Sequence, residues 1–205
     1  MKILYIESKL KNLEDLSLSN EEIIKLPKKL FLAYSIQYKD LALVIKKQLE
    51  SNKIKITNFE QVLGCSKINT KDPILLIGAG RFHAINLYLQ SPEVYVLDNR
   101  TISKISEKEI EVLKQKRKAA LLKFFNANNI GILVTTKPGQ ENLTQAIKLK
   151  KKLIQKGKNA FIFISSSIDL NQFENFNIDS WVNTACQGLS YDNSSIVNLS
   201  EILKF

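Results

Sequence analysis

The sequence of 205 residues has few of the side chains that usually hold metal ions. It contains only two cysteines and one histidine. Neither zinc nor an iron–sulfur cluster is normally held by two cysteines alone, so a metal site built on this pair needs at least one further ligand. No run of eighteen or more apolar residues occurs, which excludes a transmembrane helix. The first residues lack a signal-peptide pattern, and with so few cysteines this favours the reducing cytoplasm.

Acidic residues are also scarce relative to basic ones, and the formal net charge is +10. Such a surface can attract RNA or an RNA-associated protein. Many of the lysines, however, fall on or just after one predicted helix, and a lysine run is usually the solvated face of a helix. The sequence therefore does not predict direct RNA binding, and a basic RNA-associated module is kept as an alternative. These lysines are Lys148, Lys150, Lys151, Lys152, Lys156 and Lys158.

Apolar runs alternate with helical patterns along the chain, which predicts an α/β fold with small parallel sheets and helices on both faces. The continuous apolar runs at 74–77 and 130–134 are typical of strands covered on both sides. The predicted strands span residues 2–6, 30–35, 53–57, 73–77, 93–97, 131–135, 159–164 and 180–182. The predicted helices span residues 39–51, 82–89, 106–128 and 140–156.

This pattern predicts two domains. The first, residues 26–128, contains Cys65 and ends with the long helix, and the second, residues 129–205, contains Cys186. Residues 1–25 fit neither domain. Their predicted strand has no evident partner nearby, and an unpaired strand edge is a liability.

Three strand ends carry unusual turns, and ligands of such sheets bind at the carboxyl ends of strands. In the first turn, Gly78 and Gly80 permit close backbone approach, and the following helix could hold an anion at its N-terminus. The dinucleotide-binding fingerprint needs a third glycine where His83 stands, so no NAD site is predicted. His83 is either a packed, hydrogen-bonded residue or a polar contact to a ligand.

The other two turns follow the predicted strands that end at residues 135 and 182. In the turn 135–140, Lys137 and Gln140 could reach a carboxylate or an amide, although an ordinary loop between a strand and a helix is equally compatible. The turn 184–188 carries Cys186. Spacing alone does not distinguish a cysteine that ligates metal from one that is a small buried hydrophobe.

Five short segments, together with the basic stretch Lys114–Arg117 on the long helix, form a pattern along the chain. In chain order the segments are Tyr34–Tyr38, Gln61–Cys65, Ile77–His83, Thr135–Gln140 and Val182–Cys186. In this order and at these distances they resemble the diphthamide synthase family, in particular the archaeal radical enzyme of the first step of diphthamide biosynthesis. The resemblance covers the second and third domains of that family.

The resemblance implies a fold, an activity and a set of partners. Family members have three similar α/β domains, each of which gives one cysteine to a 4Fe–4S cluster whose open iron binds S-adenosylmethionine. A 3-amino-3-carboxypropyl radical is then formed and adds to a histidine ring of translation elongation factor 2. Cys65 and Cys186 are thus expected to be iron ligands. Residues 1–25 are expected to be the tail of a missing first domain, which a separate chain would supply with the third cysteine, and the assembled enzyme would be a dimer.

The resemblance also implies which residues line the S-adenosylmethionine pocket. They are Gln37, Gly78, Gly80, His83, Thr135, Lys137, Gly139 and Gln140. The family usually has Pro-Arg after the cysteine of its third domain, where this chain has Gln187-Gly188. That departure favours the alternative of a non-catalytic partner of a full-length subunit, whereas retention of both cysteines favours a catalytic one.

Overall fold

A computed structural model describes residues 6–8, 16–78, 81–91, 93–173, 175–190 and 195–203. The predicted strand at 2–6, apart from Ile6, and the glycine at position 80 lie outside the described residues. The chain divides into two compact units, Met1–Ile110 and Glu111–Phe205. Both are α/β units built on a single sheet, which confirms the predicted fold class. Among the described helices, none has the length and apolar character needed to cross a membrane.

In the described part of the first unit, the sheet has five strands in the order β2-β1-β3-β4-β5. Strands β1 to β4 pair in parallel, as predicted, and β5 pairs with β4 antiparallel. The elements are α1 (Asn20–Ile24), β1 (Lys29–Tyr34), α2 (Lys39–Ser51), β2 (Lys55–Gln61), β3 (Ile74–Ile77), α3 (Arg81–Tyr88), β4 (Val94–Asp98) and β5 (Thr101–Lys104).

The antiparallel strand β5 is not foreseen from the apolar pattern. Only two residues, Asn99 and Arg100, separate it from β4, and a link this short can join only antiparallel neighbours. Asn99 has a φ of 54°, a left-handed conformation that asparagine tolerates better than most residues.

The sheet of the second unit has four parallel strands in the order β7-β6-β8-β9. The helix α4 begins in the first unit and continues into the second. The elements are α4 (Glu107–Asn126), β6 (Asn129–Thr135), α5 (Leu143–Gln155), β7 (Asn159–Ser165), β8 (Ser180–Asn183), β9 (Ile196–Asn198) and α6 (Leu199–Ile202). The loops of the two units contain short 3₁₀ helices at Ile36–Tyr38, Leu170–Phe173 and Gln187–Ser190.

The core of the first unit explains why α2 forms where it was predicted. Leu41, Ile45 and Leu49 recur at the spacing of one helix face and are buried against β1 and β3. Burial of one such side chain stabilises the fold by about 1.5–3 kcal/mol. Leu18 and Ile23 belong to the same core. The segment from residue 16 to 25, which the sequence placed outside both domains, therefore packs as part of the first unit.

The boundary between the units also differs from the position predicted at residue 128. Ala120, Phe124 and Ala127 belong to the core of the second unit, together with Ile130 and Ile132 of β6. Most of α4 therefore packs with the unit that follows it in sequence. Most of the lysines on and after α5 are exposed, as expected for a solvated helix face.

One close packing contact in the second unit depends on a glycine. Gly131 lies in the buried strand β6, directly beneath the ring of Trp181 on the neighbouring strand β8. A Cβ atom at position 131 would lie 2.3 Å from the indole carbons. Phe163 and Phe173 pack around the same indole, with ring centroids 4.9 and 5.5 Å away, so the indole has little freedom to shift.

We predict that Gly131→Ala lowers the free energy of unfolding by about 1–3 kcal/mol, because overpacking forces the indole to move. Circular dichroism during denaturant unfolding measures the loss. The same substitution in a Trp181→Leu background should be less costly, since the obstructing ring is gone. An equal loss in both backgrounds would show that the indole is not the cause.

Candidate functional site

In the first unit, three predicted site segments follow adjacent strands. Tyr34 of β1 is in register with Gln61 of β2 on one side and Ile77 of β3 on the other. The three parallel strands therefore end together, and the segments carrying Gln37, Cys65 and Gly78 leave the same edge of the sheet. Gln37 lies on the first 3₁₀ helix with its side chain exposed.

Cys65 lies at the tip of a tight turn. The N–H of Ser66 donates to the carbonyl of Leu63 at 3.0 Å, and the N–H of Leu63 donates to Oγ of Ser66 at 2.8 Å. Gly64 and Cys65 occupy the two central positions, and Cys65 is an exposed free thiol. The Gln90 amide at the end of α3 fixes the loop beyond this turn, accepting from the N–H of Ile68 at 2.8 Å and donating to the carbonyl of Ser66 at 2.9 Å.

The cysteine turn rests on the helix that follows the glycine turn. A Cβ at Gly64 would lie 2.1 Å from the ring of Phe82, in the first turn of α3, so only a glycine permits this approach. At Gly78 a Cβ would lie 2.7 Å from Oγ of Ser35, which follows β1. The structure thus brings two of the predicted segments, 61–65 and 77–83, into contact.

His83 is half-buried on α3, and its buried Nδ1 has no hydrogen-bond partner among the residues that the structure describes. Its ring packs edge-on against Phe82, with centroids 5.8 Å apart. Burial lowers the pKa of the imidazole below its ordinary value of 6.5. His83 is therefore a packed residue, but within the described part of the chain its Nδ1 makes none of the hydrogen bonds expected of a packed histidine.

In the second unit, the other two predicted turns converge on one cavity of about 180 Å³. Thr135, Lys137 and Gln140 come from the end of β6 and its turn, and Cys186 comes from the turn after β8. The remaining lining residues are Ser166, Ser167, Ile168, Ala185 and Leu189. Four of the residues predicted from separate parts of the sequence therefore share a single concave surface.

The turn after β6 is rigidly built. The N–H of Gln140 donates to the carbonyl of Lys137 at 3.1 Å, and Gly139 has a φ of 77°. With Pro138 before this glycine, the turn has the features of type II. Below it, the buried Thr135 hydroxyl accepts from the N–H of Lys137 at 3.2 Å. The side chains of Lys137 and Gln140 are left exposed.

The turn carrying Cys186 is held from beneath by Asn183, a residue that the sequence did not single out. Asn183 donates from Nδ2 to the carbonyl of Cys186 at 2.8 Å and accepts from the N–H of Ala185 at 2.9 Å. The only sequence signal is a polar residue that ends a buried strand. Cys186 itself is an exposed free thiol.

Both thiols are exposed, so neither cysteine is a small hydrophobe buried in a core. Exposed thiols on loops at strand ends fit the donor chemistry of an iron–sulfur cluster, which prefers thiolate. Across the described ranges, no group of three or more histidine, cysteine, aspartate or glutamate side chains could hold a metal ion. The two cysteines thus fit a cluster as part of its ligand set.

Comparison with known proteins gives a consistent result. A family model described as "Putative diphthamide synthesis protein" matches residues 1–198. A 2-(3-amino-3-carboxypropyl)histidine synthase of Pyrococcus horikoshii is 26% identical over 183 residues, which cover 83% of this chain and 54% of that protein. The enzyme of the same name from Methanocaldococcus jannaschii is 33% identical over 119 residues, covering 55% of this chain and 32% of that protein.

Solved structures agree. The crystal structure of Dph2 from Pyrococcus horikoshii superposes with a TM-score of 0.76 at 26% identity, over 89% of this chain and 58% of that one. The structure of the same protein with a 4Fe–4S cluster gives a TM-score of 0.73 over the same shares. The chain thus spans between about a third and somewhat more than half of the length of these relatives.

The partial burial of His83 predicts a low imidazole pKa and a dependence of stability on pH. The chain has one histidine, so its imidazole signals in the NMR spectrum need no assignment. Their titration should give a pKa below 6.5, because burial disfavours the charged ring. The unfolded chain then binds a proton more readily than the folded one, so stability falls as the pH drops through 6.5 towards the folded pKa.

The matched variant is His83→Gln, which should lose this part of the pH dependence of thermal unfolding while keeping any change due to carboxylates at lower pH. A measured imidazole pKa at or above 6.5 would contradict the burial seen in the structure.

Proposed function

Because the chain belongs to the diphthamide synthesis protein family, we propose that it is a subunit of a 2-(3-amino-3-carboxypropyl)histidine synthase. The assembled enzyme would transfer the 3-amino-3-carboxypropyl group of S-adenosylmethionine to a histidine of translation elongation factor 2. The observation that carries this proposal is the cavity of the second unit, where Cys186 adjoins Thr135, Lys137 and Gln140.

Cys65 and Cys186 would each ligate one iron of a 4Fe–4S cluster. Both are exposed thiols on hydrogen-bonded turns, so iron can reach them without unfolding of the core. When bound and reduced, the cluster would supply the electron that cleaves the bond between the sulfonium sulfur and the methionine γ-carbon. Since two thiolates do not complete such a site, the third would come from a further domain of the assembled enzyme, called the companion domain below.

The turns would bind S-adenosylmethionine beside the cluster. Lys137 offers an ammonium group to the methionine carboxylate, and Gln140 offers an amide on the same turn. Gly78 lets the backbone of its turn lie close to Ser35, and Gly139 adopts the positive φ that its turn requires. Gln37, Gly80 and His83 would contribute from the first unit, and Thr135 would fix the turn that carries Lys137.

The alternative is a non-catalytic partner of a full-length synthase subunit. One observation favours it: Gln187-Gly188 follow Cys186, so the second 3₁₀ position is a flexible glycine. Both proposals include a dimeric assembly and elongation factor 2 as the protein substrate. They differ in whether the two thiols are needed for turnover.

We predict that Cys65→Ser and Cys186→Ser each abolish transfer of the aminocarboxypropyl group, because serine is a much poorer iron ligand than thiolate. The assay uses labelled S-adenosylmethionine, elongation factor 2, a reductant and the assembled complex with the companion domain, under anaerobic conditions. Lys67→Ser, an exposed residue just after the same turn, is the control and should be fully active.

Both cysteine variants should keep the unfolding temperature of the parent chain, since both thiols are exposed. If either variant retains near-parental turnover, that cysteine is not a cluster ligand, and the non-catalytic partner becomes the better account.

Lys137→Met should weaken binding of S-adenosylmethionine by about tenfold or more, because a charge-assisted hydrogen bond contributes about 1.5–3 kcal/mol. Equilibrium dialysis with the anaerobic complex measures the affinity. Lys151→Met, on the solvated face of α5, is the matched control and should bind normally. Equal affinities for both variants would remove Lys137 from the pocket.

A further inference from the structure

A connected set of side-chain hydrogen bonds lies beneath the turn that carries Cys186. It runs from the long helix α4, through the start of α6 and the end of β9, to the carbonyl of Cys186. Its members are Arg117, Glu201, Asn198, Ser190 and Asn183. All five form hydrogen bonds to the backbone or the side chains of residues 183–201.

Asn183 is the member in direct contact with the cysteine turn. It is 2% exposed at the end of β8, and both its amide protons and its amide oxygen form hydrogen bonds. One Nδ2 proton goes to the carbonyl of Cys186 at 2.8 Å and the other to Oδ1 of Asn198 at 2.9 Å. Its Oδ1 accepts from the N–H of Ala185 at 2.9 Å. The residue before the cysteine and the cysteine itself are thus tied to one rigid amide.

The orientation of that amide is in turn fixed by its surroundings. Asn198, which is 8% exposed, accepts from Asn183 and donates from Nδ2 to Oγ of Ser190 at 2.6 Å. The Ser190 hydroxyl donates to the carbonyl of Gln187 at 2.9 Å. The 3₁₀ helix that follows Cys186 is therefore held at its start by Asn183 and at its end by Ser190.

Arg117 anchors this set to the long helix. Its guanidinium donates to the carbonyls of Ser190 at 3.1 Å and Ile196 at 2.8 Å, and it forms a two-point ion pair with Glu201. Glu201 also accepts from the N–H of Asn198 at 2.8 Å. Both charged side chains are mostly buried, with 16% and 24% of their surface exposed. The ion pair is thus part of the support of Asn198, not an isolated surface contact.

We propose that Asn183 is a positioning residue that holds Cys186 in the geometry needed to ligate iron, and that Asn198 and Arg117 fix the orientation of its amide. The iron in this proposal rests on the proposed function. The ordering of the turn by Asn183 does not depend on that function. A flexible cysteine loses freedom when it binds metal, so a turn that is ordered beforehand binds more tightly. No comparable amide contacts the carbonyl of Cys65 among the described residues, where the turn is held by Ser66 and Gln90 instead.

The discriminating variant is Asn183→Asp, which keeps the size and shape of the side chain. It retains an acceptor for the N–H of Ala185, but it replaces a donor by an acceptor facing the carbonyl of Cys186 and Oδ1 of Asn198. The matched control is Asn129→Asp at the opposite end of the same sheet, where Oδ1 accepts from Asn159 and can still do so as a carboxylate. Ser190→Ala is a second variant that leaves Asn183 in place and removes two hydrogen bonds at the end of the 3₁₀ helix, the one from Asn198 and the one to the carbonyl of Gln187.

The first measurement uses the isolated chain without metal. Hydrogen exchange of the backbone amides at 185–190 should become about tenfold faster in Asn183→Asp, and less so in Ser190→Ala, because a buried hydrogen bond is lost. Exchange in this segment should be unchanged in Asn129→Asp, and exchange around Cys65 should be unchanged in all three. If exchange at 185–190 stays at the parental rate in Asn183→Asp, the positioning role is overturned whatever the protein binds.

The second measurement adds the ligand. After anaerobic loading with ferrous iron and sulfide in the complex with the companion domain, release of iron to a chelator should be severalfold faster in Asn183→Asp than in the parent, with Asn129→Asp at the parental rate. If Asn183→Asp loosens the turn but releases iron at the parental rate, the turn does not position a ligand.

If the parent itself holds no iron, the proposed function fails, while the exchange result still decides whether Asn183 orders the turn. Should Asn183→Asp not fold, Ser190→Ala gives both comparisons.

Discussion

The site depends on a constraint of parallel sheets, that the carboxyl ends of all their strands lie at one edge. In the first unit, the register of β1 with β2 and β3 makes three strands end together, so the Cys65 turn and the Gly78 turn are neighbours. In the second unit, β6 and β8 pair directly, and their loops share the cavity that contains Lys137 and Cys186. Chemistry-bearing residues that are far apart in sequence are thereby collected at one edge of each sheet.

The buried strands carry this arrangement because they have little freedom. Ile74 to Ile77 and Ile130 to Val134 are almost fully buried, so a shift of register would place a well-packed face against the wrong neighbour. Close contacts fix the layers further: Gly131 lies against Trp181, and Gly64 lies against Phe82. The loops are then supported by amides and hydroxyls, Gln90 below one cysteine turn and Asn183 below the other.

Much of this could be predicted from the sequence, and the limits have physical causes. Long apolar runs gave the central strands, and the helix α2 was predicted with its observed bounds because its apolar residues recur at helical spacing. The strand β5 was missed, since its four residues contain one buried side chain and its direction depends on the two-residue turn at Asn99. The cysteines and turns were recognised by family order. The supporting role of Asn183, which lies within one of those segments, was not, because its partners are adjacent to it only in the fold.

If one cluster draws ligands from both units, as proposed, Cys65 and Cys186 have to approach each other in the assembled protein. A short bifunctional thiol reagent tests this directly, because the chain contains only two cysteines and any internal cross-link must join them. The measurement is mass spectrometry of the digested protein after treatment at low concentration, with the companion domain present and without iron. A linked pair of peptides carrying Cys65 and Cys186 from one molecule is the predicted result. Complete single labelling of both thiols with no internal link, even with longer reagents, would contradict a shared cluster.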